Sequence, residues 1–159
     1  MAFFTQATPE ERRLKMYIYG QHGTGKTVTS LHMPNPAVID LDGGTNFYAE
    51  SFKFYRLRTT DVDKVFQAVD ELIKDPGEFK TLVIDSFTKF WELLQEKHLK
   101  KLRVKKGNAQ YILQPNDYRV IKSDLKSFIN KLLALDMNIV ATAQIKNLYS
   151  QDTTEFMKI

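Results

Sequence analysis

Cysteine is absent from the 159 residues, so the fold holds no disulfide and no thiolate metal site. Histidine occurs only at His22, His32 and His98, at separations that match no ligand pattern, and no structural metal is expected. No window supplies the roughly 18 apolar residues that would cross a membrane. The opening stretch, Met1 to Gln6, has neither a basic leader nor a long apolar run, so no secretory signal is expected. Repeats, low-complexity tracts and flexible linkers are also missing. These absences point to one folded domain over 1–159 in a reducing cytoplasm, with an ordinary apolar share of 43%.

Charge is present but unevenly placed. Lys97, Lys100, Lys101, Arg103, Lys105 and Lys106 put six cations within ten residues. They exceed the whole net charge of +4, so the basicity of the chain is local.

The most specific pattern is Gly20-Gln21-His22-Gly23-Thr24-Gly25-Lys26-Thr27, which fits the phosphate-binding loop G-x-x-x-x-G-K-[ST] at every fixed position. Glycines let the backbone curl so that successive N–H groups face an anion. Lys26 can reach the β- and γ-phosphates of a nucleotide, and the Thr27 hydroxyl can hold Mg²⁺. Leu14 to Tyr19 alternates like a strand, and Thr27 to His32, Val28 included, can form a short helix. Strand, loop and helix are the setting the motif needs.

Four further strands are expected at Ala37–Leu41, Phe52–Leu57, Thr81–Ile84 and Met137–Ala143. Helical spacing links Val62, Val65, Phe66, Val69, Leu72 and Ile73, with Thr60 as the expected cap and Asp75-Pro76-Gly77 as the stop. Phe87, Phe90, Trp91 and Leu94 form a second apolar stripe. Val120, Ile121, Leu125, Phe128, Ile129, Leu132 and Leu133 form a third. These aromatics, Trp91 among them, are expected in the core. Strands alternating with helices imply an α/β fold, a mostly parallel five-stranded sheet flanked by helices.

Asp85 closes the fourth strand, where a carboxylate can hold Mg²⁺ through a coordinated water. The alternative is a helix cap, a role Ser86 can fill instead. Ser86 also stands where many such ATPases carry a water-activating glutamate, so that carboxylate must come from elsewhere. Asp42, near the carboxyl end of the second strand, is the candidate base, with Asp40 as a structural partner; the alternative is that both only solvate a turn. Gln144 ends the fifth strand, where its amide can sense the γ-phosphate.

The order of these segments resembles the RecA-type recombination ATPases, and within them a small phage-encoded group that works with single-strand annealing and replication proteins. The resemblance covers Leu14 to about Tyr149. It rests on Gly20 to Thr27, Val38-Ile39-Asp40-Leu41-Asp42-Gly43-Gly44, Leu82-Val83-Ile84-Asp85-Ser86 and Thr142-Ala143-Gln144. It implies a RecA-like core binding ATP and Mg²⁺, with the catalytic carboxylate at Asp42 and the nucleotide sensor at Gln144. It also implies the strand order third-second-fourth-fifth-first, and a homo-oligomer acting in the host cytoplasm if the chain is phage-encoded. Asp42 is one methylene shorter than the glutamate of RecA. RecA continues beyond the glutamine with a DNA-binding loop and further strands, whereas this chain ends at Ile159, so a core lacking those strands is expected.

The basic run Lys97 to Lys106, followed by Tyr111, suits single-stranded DNA, with cations on phosphates and an aromatic ring for stacking. The alternative is a solvated helix end whose lysines favour the C-terminal dipole. Of three functions that fit, the one expected is a DNA-dependent ATPase of recombination, annealing or replication, partnered by a single-strand annealing or single-strand binding protein. The others are a small-molecule kinase and a non-hydrolysing nucleotide-dependent module.

Overall fold

The computed structural model describes residues 12–145 together with Gln6, Ala7 and Pro9. The readings made on Met1 to Thr5, on the end of the resemblance past residue 145 and on the terminus at Ile159 lie outside the described residues.

Strand β1 (Lys15–Gly20) leads through the glycine loop into α1 (Lys26–Leu31). Strand β2 (Pro36–Asp40) is followed by a 3-10 turn (Gly44–Tyr48) and β3 (Tyr55–Arg58). Helix α2 (Val62–Lys74), β4 (Thr81–Asp85), α3 (Phe87–Lys106), α4 (Asp117–Ala134) and β5 (Asn138–Gln144) complete the chain. All pairings are parallel, in the order β1-β5-β4-β2-β3. This is the five-stranded α/β sheet expected, in the expected order. Every strand therefore ends at one edge, where open α/β sheets bind ligands.

Alternation along the strands divides two apolar layers. Ile39, Leu82, Ile84 and Ile139 face α2, α3 and α4, whose Val65, Phe90 and Phe128 are wholly buried. Phe90 and Phe128 stack with ring centroids 4.3 Å apart, joining α3 to α4. Val38, Val83 and Val140 point the other way, onto Leu31 of α1, with Met16, Ile18, Phe52 and Phe54 around them. Central β4 is buried at all five residues because both its faces are covered. Edge strand β1 is half-covered and alternates instead. Trp91 packs against the first layer, as expected.

Three local expectations are corrected. Strand β3 begins at Tyr55, not Phe52; Phe52 and Phe54 enter the second layer from the segment before it. Asp61 caps α2 in place of Thr60, because its carboxylate accepts the Asp63 N–H at 2.9 Å. On α4 the buried line is Ile121, Phe128 and Leu132, whereas Val120 and Leu133 are each 57% exposed. Its neighbours α2 and α3 cover only part of the helix circumference.

Candidate nucleotide site

The glycine loop leaves β1 at Gly20 and turns through two left-handed residues, Gly23 at φ +77° and Gly25 at φ +82°. A side chain is strained in that conformation, so the curl depends on glycine. Thr24 donates its hydroxyl to the Gln21 carbonyl at 2.9 Å. The Lys26 ammonium folds back into the curl and donates to the Gly20 carbonyl at 3.0 Å and the Gln21 carbonyl at 2.7 Å. A phosphate in the curl would offer that ammonium a stronger, charge-assisted partner. Gln21, His22, Gly23, Thr24 and Gly25 are exposed, while Lys26, Thr27 and Val28 are half-buried as α1 begins.

Asp85 is brought to this loop by the parallel sheet. Its Oδ2 accepts the Thr27 hydroxyl at 2.8 Å, and its Oδ1 accepts the Thr142 hydroxyl at 2.5 Å. The helix-cap role falls to Ser86, whose Oγ accepts the Lys89 N–H at 3.3 Å. Burial pushes the Asp85 carboxyl above its usual range; the Thr142 and Thr27 hydroxyls oppose this, and the charges of Asp42 and Asp40 add to it. A hydroxyl beside a carboxylate is a hard-oxygen pair, the donor set Mg²⁺ takes while keeping several waters. The residues present therefore fit Mg²⁺. Among the described residues no cluster of three or more His, Asp or Glu could hold a metal.

Asp40 and Asp42 have different surroundings. Asp40 is fully buried and accepts the Gly43 N–H at 2.6 Å and the Thr45 hydroxyl at 2.5 Å. Arg56 approaches it at 3.9 Å and donates to Asn46 at 2.6 Å. Asp40 is thereby spent on shaping the turn. Asp42 is exposed beyond it, with Oδ1 accepting the Gly44 N–H at 3.0 Å. Both line a cleft of about 730 Å³ at the carboxyl edge, with Ser86, Thr88, Gln144 and Arg58. The Gln144 N–H donates to Thr88 at 2.9 Å, which ties the end of β5 to the first turn of α3.

A family model described as an AAA domain matches residues 12–158, nearly the whole chain. The chain belongs to the AAA domain family. An AAA domain is a P-loop ATPase module, so nucleotide binding and hydrolysis are the activity of its fold class. No curated protein matches the chain in sequence.

The basic run of this AAA domain lies at the far end of α3. The line of α3 that is buried at Phe90, Leu93 and Leu94 continues as Lys97, Lys100, Lys101 and Lys105, within about 140° of the helix circumference. The helix has by then passed the core, and the same face can carry charge. Lys97 is tied to Asp63 of α2, while Lys100, Lys101 and Lys105 are exposed. Arg103 Nε donates to the Tyr111 carbonyl at 3.0 Å. Lys106 lies over the Tyr111 ring at 3.9 Å, and the Tyr111 hydroxyl donates to Asp117 at 2.7 Å. The structure thus brings Lys26, Thr27, Asp85, Asp42 and Gln144 to one sheet edge and sets the basic residues apart from them.

Sequence reasoning missed Arg58, Lys89 and Glu92, which also line the cleft. A single arginine or glutamate carries no spacing signal. Only the pairing of β3 with β2 and the first turns of α3 bring them to the edge.

Proposed function

We propose that this AAA domain hydrolyses ATP with Mg²⁺, and that single-stranded DNA on the outer half of α3 stimulates the reaction. The observation that carries the reading is the Thr27–Asp85 hydrogen bond, which joins the phosphate loop to the end of β4. Lys26 and the amides of Gly20 to Thr27 hold the phosphates. Thr27 and Asp85 would hold Mg²⁺, and the ion would supply neutralisation of the β- and γ-phosphate charge.

Asp42 takes the proton of the attacking water. The water oxygen bonds to the γ-phosphorus, the bond to the β–γ bridging oxygen breaks, and ADP and inorganic phosphate leave. Gln144, which lines the cleft with Asp42, registers the loss of that group, and its backbone bond to Thr88 passes the change to α3. The exposed Lys100, Lys101 and Lys105 then track DNA phosphates. This arrangement suits phage-type recombination, annealing or replication, in a homo-oligomer beside a single-strand annealing or single-strand binding protein.

The size of the cleft favours one second reading, transfer of the phosphoryl group to a small-molecule acceptor, since about 730 Å³ is within the usual range for such sites. Hydrolysis measured with and without oligothymidylate, at low and moderate salt, separates the two. Stimulation that fades with salt supports the DNA-dependent ATPase. Nucleotide binding with no stimulation, and faster turnover with an added acceptor, supports the kinase.

A further inference from the structure

The cleft holds two cations, and they differ. Lys89 is already paired with Glu92 at 3.5 Å on the same helix. Arg58 has no carboxylate partner and no hydrogen bond among the described residues. The contrast with Arg56, two residues earlier on the same strand face, is direct. Arg56 is engaged by Asn46, Thr45 and Asp40, and it serves the turn. Arg58 ends β3 one step further out, in register with Asp40, which is itself in register with Asp85. It lines the cleft together with Asp42, Ser86 and Gln144.

The backbone is built to admit this side chain. A Cβ on Gly43 would lie 3.0 Å from Arg58 Nη2 and 3.4 Å from its Cζ. Gly43 is also left-handed, at φ +80°. The bare glycine lets the guanidinium rest on the turn that carries Asp42. The proposed base and a cation without a partner among the described residues thus meet at one turn, at the sheet edge that also carries Asp85.

We infer that Arg58 binds a phosphoryl group in this cleft, namely the γ-phosphoryl of the ATP held on Gly20–Thr27, so that the domain supplies this cation from within its own chain. The inference rests on the nucleotide reading above. As the bond to the bridging oxygen breaks, negative charge spreads over the equatorial oxygens of the γ-phosphoryl. A planar guanidinium with forked donors matches two such oxygens, which a lysine cannot do. ADP lacks the group, so the contact distinguishes ATP from ADP.

The test compares the full chain with Arg58→Ala and Arg58→Lys. It measures ATP and ADP affinity by calorimetry, turnover, and oligothymidylate affinity, with unchanged melting points as the folding control. The expected result is a loss of turnover of roughly 10²-fold or more in Arg58→Ala, within the range known for such arginines. ATP affinity should fall with ADP affinity unchanged, and Arg58→Lys should recover little of the turnover. Mixing Arg58→Ala with Lys26→Ala should restore no activity, because the cation acts on its own chain's nucleotide; restoration would overturn that. Turnover and the ATP-to-ADP preference of the wild type in Arg58→Ala would overturn the inference while leaving the nucleotide site standing. Weakened oligothymidylate binding alone would move Arg58 to a nucleic-acid phosphate and overturn it too. A wild-type chain that binds neither nucleotide would overturn the reading beneath it.

Discussion

Thr27 Oγ1 donates to Asp85 Oδ2 at 2.8 Å, across 58 residues of sequence. This bond exists because β1 and β4 end at the same edge, with only β5 between them. It also shapes the energetics of Asp85, which is buried and keeps two hydroxyl donors, Thr27 and Thr142.

Asp85→Asn should therefore remove turnover, by roughly 10²-fold or more, without lowering the melting point at neutral pH. The Asp85 carboxyl is raised above its usual 3.8 by burial, so the folded state holds the proton more tightly than the unfolded chain. Stability from that proton is fully present below 3.8 and is lost as pH rises through the folded value. At neutral pH the variant should melt at or above the wild type, and the difference should shrink toward about pH 4. Paired melting and hydrolysis curves check both halves.

Gly43→Ala should cost stability and turnover together. The residue sits at φ +80°, where a side chain costs about 1–2 kcal/mol, and its Cβ would press on the Arg58 guanidinium. Denaturant midpoints and steady-state rates measure the two effects. A variant with wild-type turnover would detach this turn from the chemistry.

Much of the architecture was legible in the sequence because each central strand is a short β-branched run between turn signals. Thr81–Ile84 forms such a strand, closed as expected by Asp85, which still pairs with Asp40. Aromatic alternation from Phe52 imitated a strand, although Phe52 and Phe54 pack as coil residues under the sheet. The phosphate loop and Asp85 were legible because their chemistry imposes a fixed order of residue types. Arg58 was not, since what matters about it is the register of β3 and the bare backbone of Gly43, which is fifteen residues away. Position along the strand already set Asp40 apart from Asp42 as a structural partner, but did not show what holds it in that role. Burial does that, by committing Asp40 to Thr45 and the Gly43 amide.

Replacing Lys100, Lys101 and Lys105 by alanine should weaken oligothymidylate binding while sparing basal ATP hydrolysis. These side chains are exposed and lie far along α3 from Asp85. If each meets one phosphate, the slope of log affinity against log salt should fall by about 2 for a single strand. An unchanged slope would remove the outer half of α3 from the nucleic-acid interface.

Tyr111→Phe should lower the melting point at neutral pH, with the gap closing in acid. The Asp117 carboxyl is held below its usual 3.8 by the Gln114 N–H, the Tyr111 hydroxyl and the nearby Lys106 charge. Its contribution is present above 3.8 and lost as pH falls through the folded value. The hydroxyl supplies part of that, so wild type and variant should converge below about pH 4.

The most direct measurement is Mg²⁺-dependent ATP turnover by the wild-type chain and by Lys26→Ala, with folding verified by melting point. Among the described residues the Lys26 ammonium bonds only to its own loop, through the Gly20 and Gln21 carbonyls and Thr24, so its loss should leave the fold intact. Turnover in the wild type that vanishes in Lys26→Ala is the predicted result. Equal turnover in both chains would contradict a nucleotide site on Gly20–Thr27.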